Sequence, residues 1–278
     1  MSVSQAQREA AQRIAHEIPD IDSTLPIWAQ RRNPIILRML GAHWRVFFPQ
    51  ARPLLKLYLF QIPIVLLTIK FSWMYIVILT FLLPSMVALP YAFYLYLQTI
   101  GRTIVYATAG MAEEYENDTL RVLRTTPFTT REIVLSKIAA AVWRQADEID
   151  QLLFYAASLS MPVIMAWYLA SWPPEDVQGV NQIMTVFTFA SSIIRIPLEV
   201  FMIGAVGTLM GTLIRLRSTA FLSTAVLVFF YFLLLNLLRL VDMTWPMQLF
   251  VDAFLPIILP IIMIVGAIQF AVLQIEND

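Results

Sequence analysis

The chain has 278 residues, of which 59% are hydrophobic and only 14% are charged, whereas a soluble domain carries roughly 25% charged residues. So few charged side chains cannot cover a water-soluble surface, and a disordered chain is excluded because such chains are poor in apolar residues. The absence of cysteine excludes disulfides and thiolate sites, and the 19 basic and 19 acidic residues give no net attraction to nucleic acid. The composition therefore predicts an all-α, multi-pass membrane protein.

The first part of the chain precedes any predicted membrane span. Residues 1–32 are polar and of mixed charge, and we expect a cytoplasmic N-terminal segment there. Asn33 and Pro34 then form a helix N-cap followed by proline at the first helical position, which predicts a helix that runs to about Phe48. Residues 33–53 are predicted to form an amphipathic helix in the membrane interface, and an ordinary packed helix is the alternative.

Residues 54–278 contain six apolar stretches that are predicted to span the membrane, some of them only together with interfacial flanking residues, and the first is short. About 20 mainly apolar residues cross the membrane as a helix, because the hydrocarbon core is about 30 Å thick and each residue rises about 1.5 Å. Kinks are expected at the prolines inside these stretches. The predicted spans are residues 54–69, 74–97, 152–170, 196–214, 220–238 and 253–273.

The basic residues lie almost entirely on one side of these six spans. Sixteen of the nineteen lysines and arginines fall before the first span, between the second and third spans, or between the fourth and fifth. Because basic connections remain in the cytoplasm, both termini and the connection 98–151 are predicted to be cytoplasmic. The opposite connections are short, so we expect no separate external domain.

The connection between the second and third spans contains a specified bend, which we call the elbow (residues 113–137). A Thr-Thr-Pro run that ends at Pro127 stops one helix, since a residue before proline disfavours the helical conformation. Thr129 and Glu132 have the spacing of a capping box that begins the next helix. The sequence therefore predicts two helices joined by a rigid corner.

The fourth predicted span carries small residues and a pair of opposite charges. Gly204, Gly207 and Gly211 form a stripe that allows close helix approach, either within one subunit or across a dimer interface. Arg195 and Glu199 are four residues apart and can neutralise each other on one helix face. Ionisable residues in a membrane favour a substrate path, but Arg195 lies outside this predicted span, so an interfacial ion pair is the preferred interpretation.

No group of residues has catalytic or metal-ligand spacing. His16 and His43 are isolated. None of the eight glycines belongs to a Gly-x-x-x-x-Gly-Lys-[Ser/Thr] motif, so the chain is not itself a P-loop ATPase. We therefore expect no enzyme activity, no bound metal and no cofactor held by a recognisable motif.

The elbow resembles the corresponding region of ABC type-2 transporter permeases. The shared pattern is an acidic pair, a Thr-Leu-x-x-Leu helix, a Thr-Pro break, and a helix that begins Arg-Glu-Ile-Val and reaches a lysine. This sequence departs from the pattern at Asp118, Arg121 and Ser136. The matching residues are Glu113, Glu116, Thr119, Leu120, Leu123, Thr126, Pro127, Arg131, Glu132, Ile133, Val134 and Lys137.

The resemblance implies the membrane-spanning permease subunit of an ABC exporter in the plasma membrane. It implies a dimer with a second permease copy or homologue, surrounded by membrane lipid, and separate cytoplasmic ATPase subunits that hold ATP and magnesium. One alternative is that the elbow is a solvated connection. Another is a non-transporting structural or accessory subunit of a larger respiratory or photosynthetic complex. The implied ATPase-coupling residues are Glu113, Glu114, Glu116, Leu123, Arg124, Pro127, Phe128, Arg131 and Glu132.

Overall fold

The computed structural model describes residues 24–41, 51–173, 179–214 and 216–277, and these ranges contain helices and no strand. The predicted all-α class is therefore confirmed. A short 3-10 turn at Ile27–Ala29 comes first. The helices that follow are α1 (Pro34–Leu40), α2 (Ala51–Leu67), α3 (Met74–Thr80), α4 (Leu82–Glu116), α5 (Thr119–Arg124), α6 (Thr130–Trp143), α7 (Ala146–Ser171), α8 (Val180–Leu213), α9 (Arg217–Arg239), α10 (Trp245–Leu249), a π-helical segment (Phe250–Phe254) and α11 (Leu255–Asn277).

Five helical segments are long and apolar enough to cross a membrane. Large apolar side chains remain exposed on them, including Leu83 and Val87, which are each 74% exposed. Apolar surface of this kind is suited to contact with lipid. The chain is therefore a multi-pass membrane protein. The five segments are Met74–Glu116, which contains α3 and α4, Ala146–Ser171, Val180–Leu213, Arg217–Arg239 and Trp245–Asn277.

The first predicted span, residues 54–69, corresponds to the shorter helix α2. This helix has 17 residues and is about 26 Å long, less than the hydrocarbon thickness of about 30 Å. It packs on the long helices, since Val65 is 1% exposed and the Gln61 amide donates to the Ala157 carbonyl at 3.0 Å. The six-span count and the side on which the termini lie stay predictions.

Helix α4 continues beyond the second predicted span. That span is predicted at residues 74–97, whereas α4 ends at Glu116, so part of the predicted cytoplasmic connection is a continuation of the same helix. The polar residues beyond the predicted end are compatible with a helix because Thr99, Thr103 and Thr108 each donate to the carbonyl four residues before. The apolar stretch of the sequence ends before these threonines, so hydropathy alone does not indicate that the helix continues.

Helix α8 begins before the fourth predicted span. Residues 180–195, which are predicted to be part of an external connection, belong to α8. Because 34 residues make a helix of about 51 Å, longer than the hydrocarbon thickness of about 30 Å, the bounds of the membrane span stay a prediction. Asn181 and Gln182 are buried, and the amide groups of both side chains donate to the Tyr75 hydroxyl on α3. Arg195 consequently lies near the middle of a 34-residue helix rather than at its edge.

Helix α8 is the central element of the bundle, in contact with α4, α6, α7, α9 and α11. Its residue Ile203 is fully buried in the main apolar core. The same core contains Met111 of α4, Ile138 of α6, Tyr231 of α9 and Ala271 of α11. Side chains on the inner face of α8 therefore lie close to residues of several other helices.

Helix α1 packs against α6 instead of presenting its apolar face to lipid. Ile36 and Leu40 are fully buried in a cluster with Ala139 and Ala140 of α6. The helix ends at Leu40 because Gly41 takes a positive φ of 53°, so it does not run to Phe48 in one piece. Residues 1–23 and 42–50, which include most of the predicted tail and interfacial helix, lie outside the described ranges.

Candidate functional site

The elbow contains the predicted corner before Thr129 and also a break that the sequence analysis did not predict, at Asp118. Helix α4 ends at Glu116, and Asp118 adopts a left-handed conformation with φ of 52° before α5 begins. Helix α5 ends at Arg124, and α6 begins after Thr129. The two helices are therefore separated by the predicted Thr-Thr-Pro break.

A complete capping box holds the corner. The Glu132 amide donates to the Thr129 hydroxyl at 3.2 Å, and the Thr129 amide donates to the Glu132 carboxylate at 2.8 Å. The Thr129 hydroxyl also donates to this carboxylate at 2.9 Å. The hydrogen bonds from the Thr129 amide and hydroxyl to the ionised carboxylate lower the pKa of Glu132 below its usual range. The corner is fixed by local hydrogen bonds in the way that the residue spacing predicts.

Most of the predicted coupling residues lie at the surface of the elbow. Leu123, Phe128 and Glu132 are partly buried. Glu113 and Glu116 are both engaged with Arg217 at the start of α9, with nitrogen–oxygen distances of 3.2 and 2.9 Å. The exposed members of the set are Glu113, Glu116, Arg124, Pro127 and Arg131.

Glu114 differs from the rest of this set because it faces inward. Its carboxylate lies 2.5 Å from the Lys137 ammonium, and the two side chains are only 5% and 3% exposed. The Thr119 hydroxyl donates to the same carboxylate. An outward docking contact is therefore not available to Glu114, which instead joins the end of α4 to α6.

Lys137 is the other half of this buried pair. Burial lowers the pKa of Lys137, and the neighbouring Glu114 carboxylate opposes that change. The ammonium also donates to the Gly110 carbonyl at 3.0 Å. Two hydrogen bonds to α4 thus hold the helix that follows the corner.

The N-terminal part of the described chain supports the same helix from its other side. The Asn33 side chain caps α1 by accepting from the Ile35 amide at 2.9 Å, and its amide group donates to the Ser136 hydroxyl at 3.0 Å. The Trp143 indole donates to the Ala29 carbonyl at 2.9 Å. Helix α6 is therefore fixed on two sides, and sequence reasoning identified the cap but not this support.

The glycine stripe serves packing within the chain. A Cβ atom at Gly207 would lie 2.8 Å from the Ala107 Cβ, and one at Gly211 would lie 2.8 Å from the Thr108 carbonyl oxygen. At Gly204 a Cβ would lie 3.3 Å from a side chain of α6. Of the two interpretations of the stripe, the structure shows helix packing, because these faces are already covered by α4 and α6.

A charged cluster lies in the middle of the bundle. The Arg195 Nε atom is 2.5 Å from the Glu199 carboxylate, and Glu199 is 1% exposed. The Tyr231 hydroxyl of α9 donates to Glu199 at 2.6 Å, and the Tyr96 hydroxyl of α4 donates to its other oxygen. The pair lies within the helical bundle rather than at the end of a helix, because α8 begins well before Arg195, and its position relative to the membrane interface stays a prediction.

A second ion pair lies beside the N-terminal half of α8. The Arg239 Nε atom at the end of α9 is 2.9 Å from the Asp252 carboxylate. Asp252 also accepts from the Tyr168 hydroxyl at 2.7 Å and from the Gln248 amide at 2.9 Å. The Tyr168 hydroxyl is in turn 2.8 Å from the Thr188 hydroxyl of α8. Four helices, α7, α8, α9 and α10, and the π-helical segment meet at this cluster.

The π-helical segment determines where Asp252 points. The Leu255 amide donates to the Phe250 carbonyl, five residues before, instead of the usual four. Asp252 is 6% exposed, although its neighbours Phe250 and Phe254 are 48% and 41% exposed. Sequence reasoning missed this residue, and the available signal was an aspartate within an apolar helix.

A cavity of about 350 Å³ lies between the two ion pairs. Tyr96, Arg195 and Glu199 line one part of it, and Arg239 and Asp252 line another. The walls between them, from α4, α7 and α8, are mostly apolar. The arrangement can therefore accommodate a molecule with an apolar body and a polar group.

The described residues offer no metal centre. No group of three or more histidine, cysteine, aspartate or glutamate side chains in these ranges has the arrangement to hold a metal ion. The buried carboxylates Glu114, Glu199 and Asp252 are instead each paired with a lysine or arginine side chain.

Comparison with known proteins gave no relatives: no family model, curated protein or solved structure matches the chain. The function is therefore argued from the elbow, the ion pairs and the cavity.

Proposed function

We propose that the chain is the membrane permease subunit of an ATP-driven ABC export system. Its elbow docks on a separate cytoplasmic ATPase, which carries ATP and magnesium, and the membrane helices provide the path for the exported molecule. The observation that carries this proposal is an exposed, capped corner joined to α4 by the buried Glu114–Lys137 pair.

The surface of the corner is suited to docking. Pro127 and Arg131 are exposed and Phe128 is partly exposed, which gives an apolar residue beside a cation. Interfaces are enriched in aromatic and arginine residues of this kind. The capping box of Thr129 and Glu132 keeps this surface in one conformation, so little ordering is required when a partner binds.

The inner side of the elbow is suited to transmitting a displacement. Lys137 holds α6 to α4, and Ile138 of α6 lies against Gly204 of α8. A push on the corner therefore reaches the central helix through packed, hydrogen-bonded contacts rather than through a flexible loop.

The proposed assembly contains two permease copies in the plasma membrane, and lipid covers the remaining apolar surface. Because the glycine stripe is covered by the chain's own helices, a second copy contacts a different face. The ATPase is a separate polypeptide, since none of the eight glycines belongs to a P-loop.

Co-purification of the full-length chain from its native membrane tests the docking role. Phe128→Ala combined with Arg131→Glu, or deletion of residues 127–132, should release the ATPase and abolish ATP-dependent export. Lys70→Glu is a matched charge reversal at an exposed residue outside the elbow and should retain both. An ATPase that stays bound after the elbow changes, or a native complex with no ATPase, contradicts the proposal.

The absence of cysteine allows a direct test of topology. Single cysteines at the exposed positions Arg124 and Leu240 should react differently in intact cells. A membrane-impermeant maleimide should label Leu240→Cys and leave Arg124→Cys unlabelled until the cells are opened. Labelling of Arg124→Cys from outside places the elbow on the wrong side for an ATPase.

A further inference from the structure

The cavity between the two ion pairs plays no part in docking at the elbow. Its carboxylates have hydrogen-bond partners, whereas some of its hydrogen-bond donors have none among the described residues. Its walls come from α4, α7 and α8, with Leu89, Leu159 and Val163 among their apolar residues. Its charged residues come from α8, α9 and the π-helical segment. A ligand class can therefore be derived from the groups that remain unbonded.

The two carboxylates that line the cavity are fully engaged. Glu199 is paired with Arg195 and accepts from two tyrosine hydroxyls. Asp252 is paired with Arg239 and accepts from a tyrosine hydroxyl and a glutamine amide. A cationic ligand would therefore find carboxylates that are already neutralised, and would meet two guanidinium groups.

The donors in the cavity are not fully engaged. Arg195 contacts Glu199 through Nε, and its two terminal nitrogens have no hydrogen-bond partner among the described residues. The Ser191 hydroxyl is also without a partner in this part of the chain, although Ser191 is only 3% exposed. These two residues are four apart on α8, so their side chains lie on one helix face. They place two hydrogen-bond donors side by side at the wall of the cavity.

The space beside this donor site is apolar. Arg195 lies seven residues from Thr188, which contacts the second cluster, so the two clusters are about 10 Å apart along α8. The wall between them on α4 and α7 is mostly apolar. A ligand that satisfies the donors therefore also carries a hydrocarbon part that fills this wall.

We propose that this cavity binds an anionic amphiphile, a carboxylate or phosphate on an alkyl chain, with the anionic group on Arg195 and Ser191. A guanidinium group is well suited to this, because it binds carboxylate and phosphate oxygens with charge-assisted hydrogen bonds. Binding itself does not depend on transport. That the same amphiphile is the exported molecule rests on the proposed function.

Direct binding to the purified full-length chain in neutral detergent tests this proposal. Three probes share one chain length: dodecyl phosphate, dodecanol and dodecyltrimethylammonium. Calorimetry should show dodecyl phosphate binding at least about tenfold more tightly than the other two, which is the difference expected for one charge-assisted hydrogen bond. Equal binding of the three probes overturns the proposal.

Variants locate the site. Arg195→Gln and Ser191→Ala should each weaken dodecyl phosphate binding, the first by about tenfold or more. Ala92→Phe fills the α4 wall and should abolish binding. Val87→Phe is a matched control on the same helix, where the side chain is 74% exposed, and should leave binding unchanged.

Each outcome decides between the alternatives. If Arg195→Gln does not purify as a folded protein, Ser191→Ala and Ala92→Phe provide the test, and unchanged binding in Ala92→Phe contradicts the assignment. Weak probe binding together with a co-purifying ATPase removes this inference and leaves the proposed function. Tight, Arg195-dependent binding without any co-purifying ATPase supports this inference and contradicts the proposed function.

Discussion

Replacing Lys137 by methionine tests the connection between the elbow and α4. The ammonium lies 2.5 Å from the Glu114 carboxylate, and both side chains are at most 5% exposed. Methionine keeps the apolar stem and leaves the carboxylate with the Thr119 hydroxyl and with Arg38 at 3.6 Å. Breaking one side of a buried ion pair costs about 3–5 kcal/mol. Because two partners remain, we expect the lower end, about 3 kcal/mol.

The double variant separates pairing from packing. Glu114→Gln together with Lys137→Met removes both charges, so its loss should be smaller than the sum of the two single losses by at least about 1 kcal/mol. The free energy of unfolding is measured in neutral detergent for both single variants and the double variant. Arg131→Met, an exposed change on the same helix, should stay within about 0.5 kcal/mol of wild type.

Two results would refute this reasoning. Wild-type stability in Lys137→Met would show that the pair contributes no net stability. Additive losses in the double variant would show that Glu114 and Lys137 are not energetically coupled, whatever their distance.

Three other changes test the packing and the corner by thermal and chemical unfolding. Gly207→Ala places a methyl group 2.8 Å from a carbon of α4 and should cost about 1–3 kcal/mol, whereas Gly266→Ala meets no atom within 4 Å and should not destabilise. Thr129→Ala removes the helix cap and should cost about 1 kcal/mol at neutral pH. The Thr129 amide, which alanine retains, and then the Thr129 hydroxyl lower the pKa of Glu132. The contribution of the hydroxyl–carboxylate contact is present above the usual glutamate pKa of 4.5 and is lost as the pH falls through the lowered value, so the difference should decrease in acid to that of the cap alone. Tyr231→Phe removes a hydroxyl that donates to the buried glutamate of α8 at 2.6 Å and should cost about 1–3 kcal/mol.

Each of these predictions has a contradicting outcome. Equal effects of the two glycine changes would mean that the close approach of α8 to α4 is not required. A Thr129→Ala difference that is constant from pH 7 to about pH 3 would show that the Thr129 hydroxyl does not stabilise the ionised Glu132 carboxylate. A neutral Tyr231→Phe would show that Glu199 is adequately paired without it.

The elbow was predictable because its determinants are local. A capping box needs only Thr129 and a glutamate three residues later, and Pro127 ends the preceding helix wherever the chain goes next. The inward turn of Glu114 was not predictable in the same way. Its partner Lys137 is 23 residues away, and only the packing of α6 on α4 brings the two together.

The beginning of α8 shows that hydropathy alone does not identify where this helix starts. Asn181 and Gln182 resemble connection residues in the sequence, but Tyr75, more than 100 residues earlier, bonds to both. A polar side chain is compatible with a membrane helix when a neighbouring helix supplies its partner. That partner is a tertiary property, and the same holds for Glu199, whose tyrosine donors come from α4 and α9.

Helix α4 is a single helix of 35 residues that carries two distant contacts. Tyr96 contacts Glu199 beside the cavity, and Glu114 contacts Lys137 at the elbow. Eighteen residues separate them, or about 27 Å, so a tilt of about 5° displaces one contact relative to the other by about 2 Å. If a ligand in the proposed cavity binds more tightly in one position of the corner, then binding of a partner at the corner must change the affinity for that ligand by the same free energy.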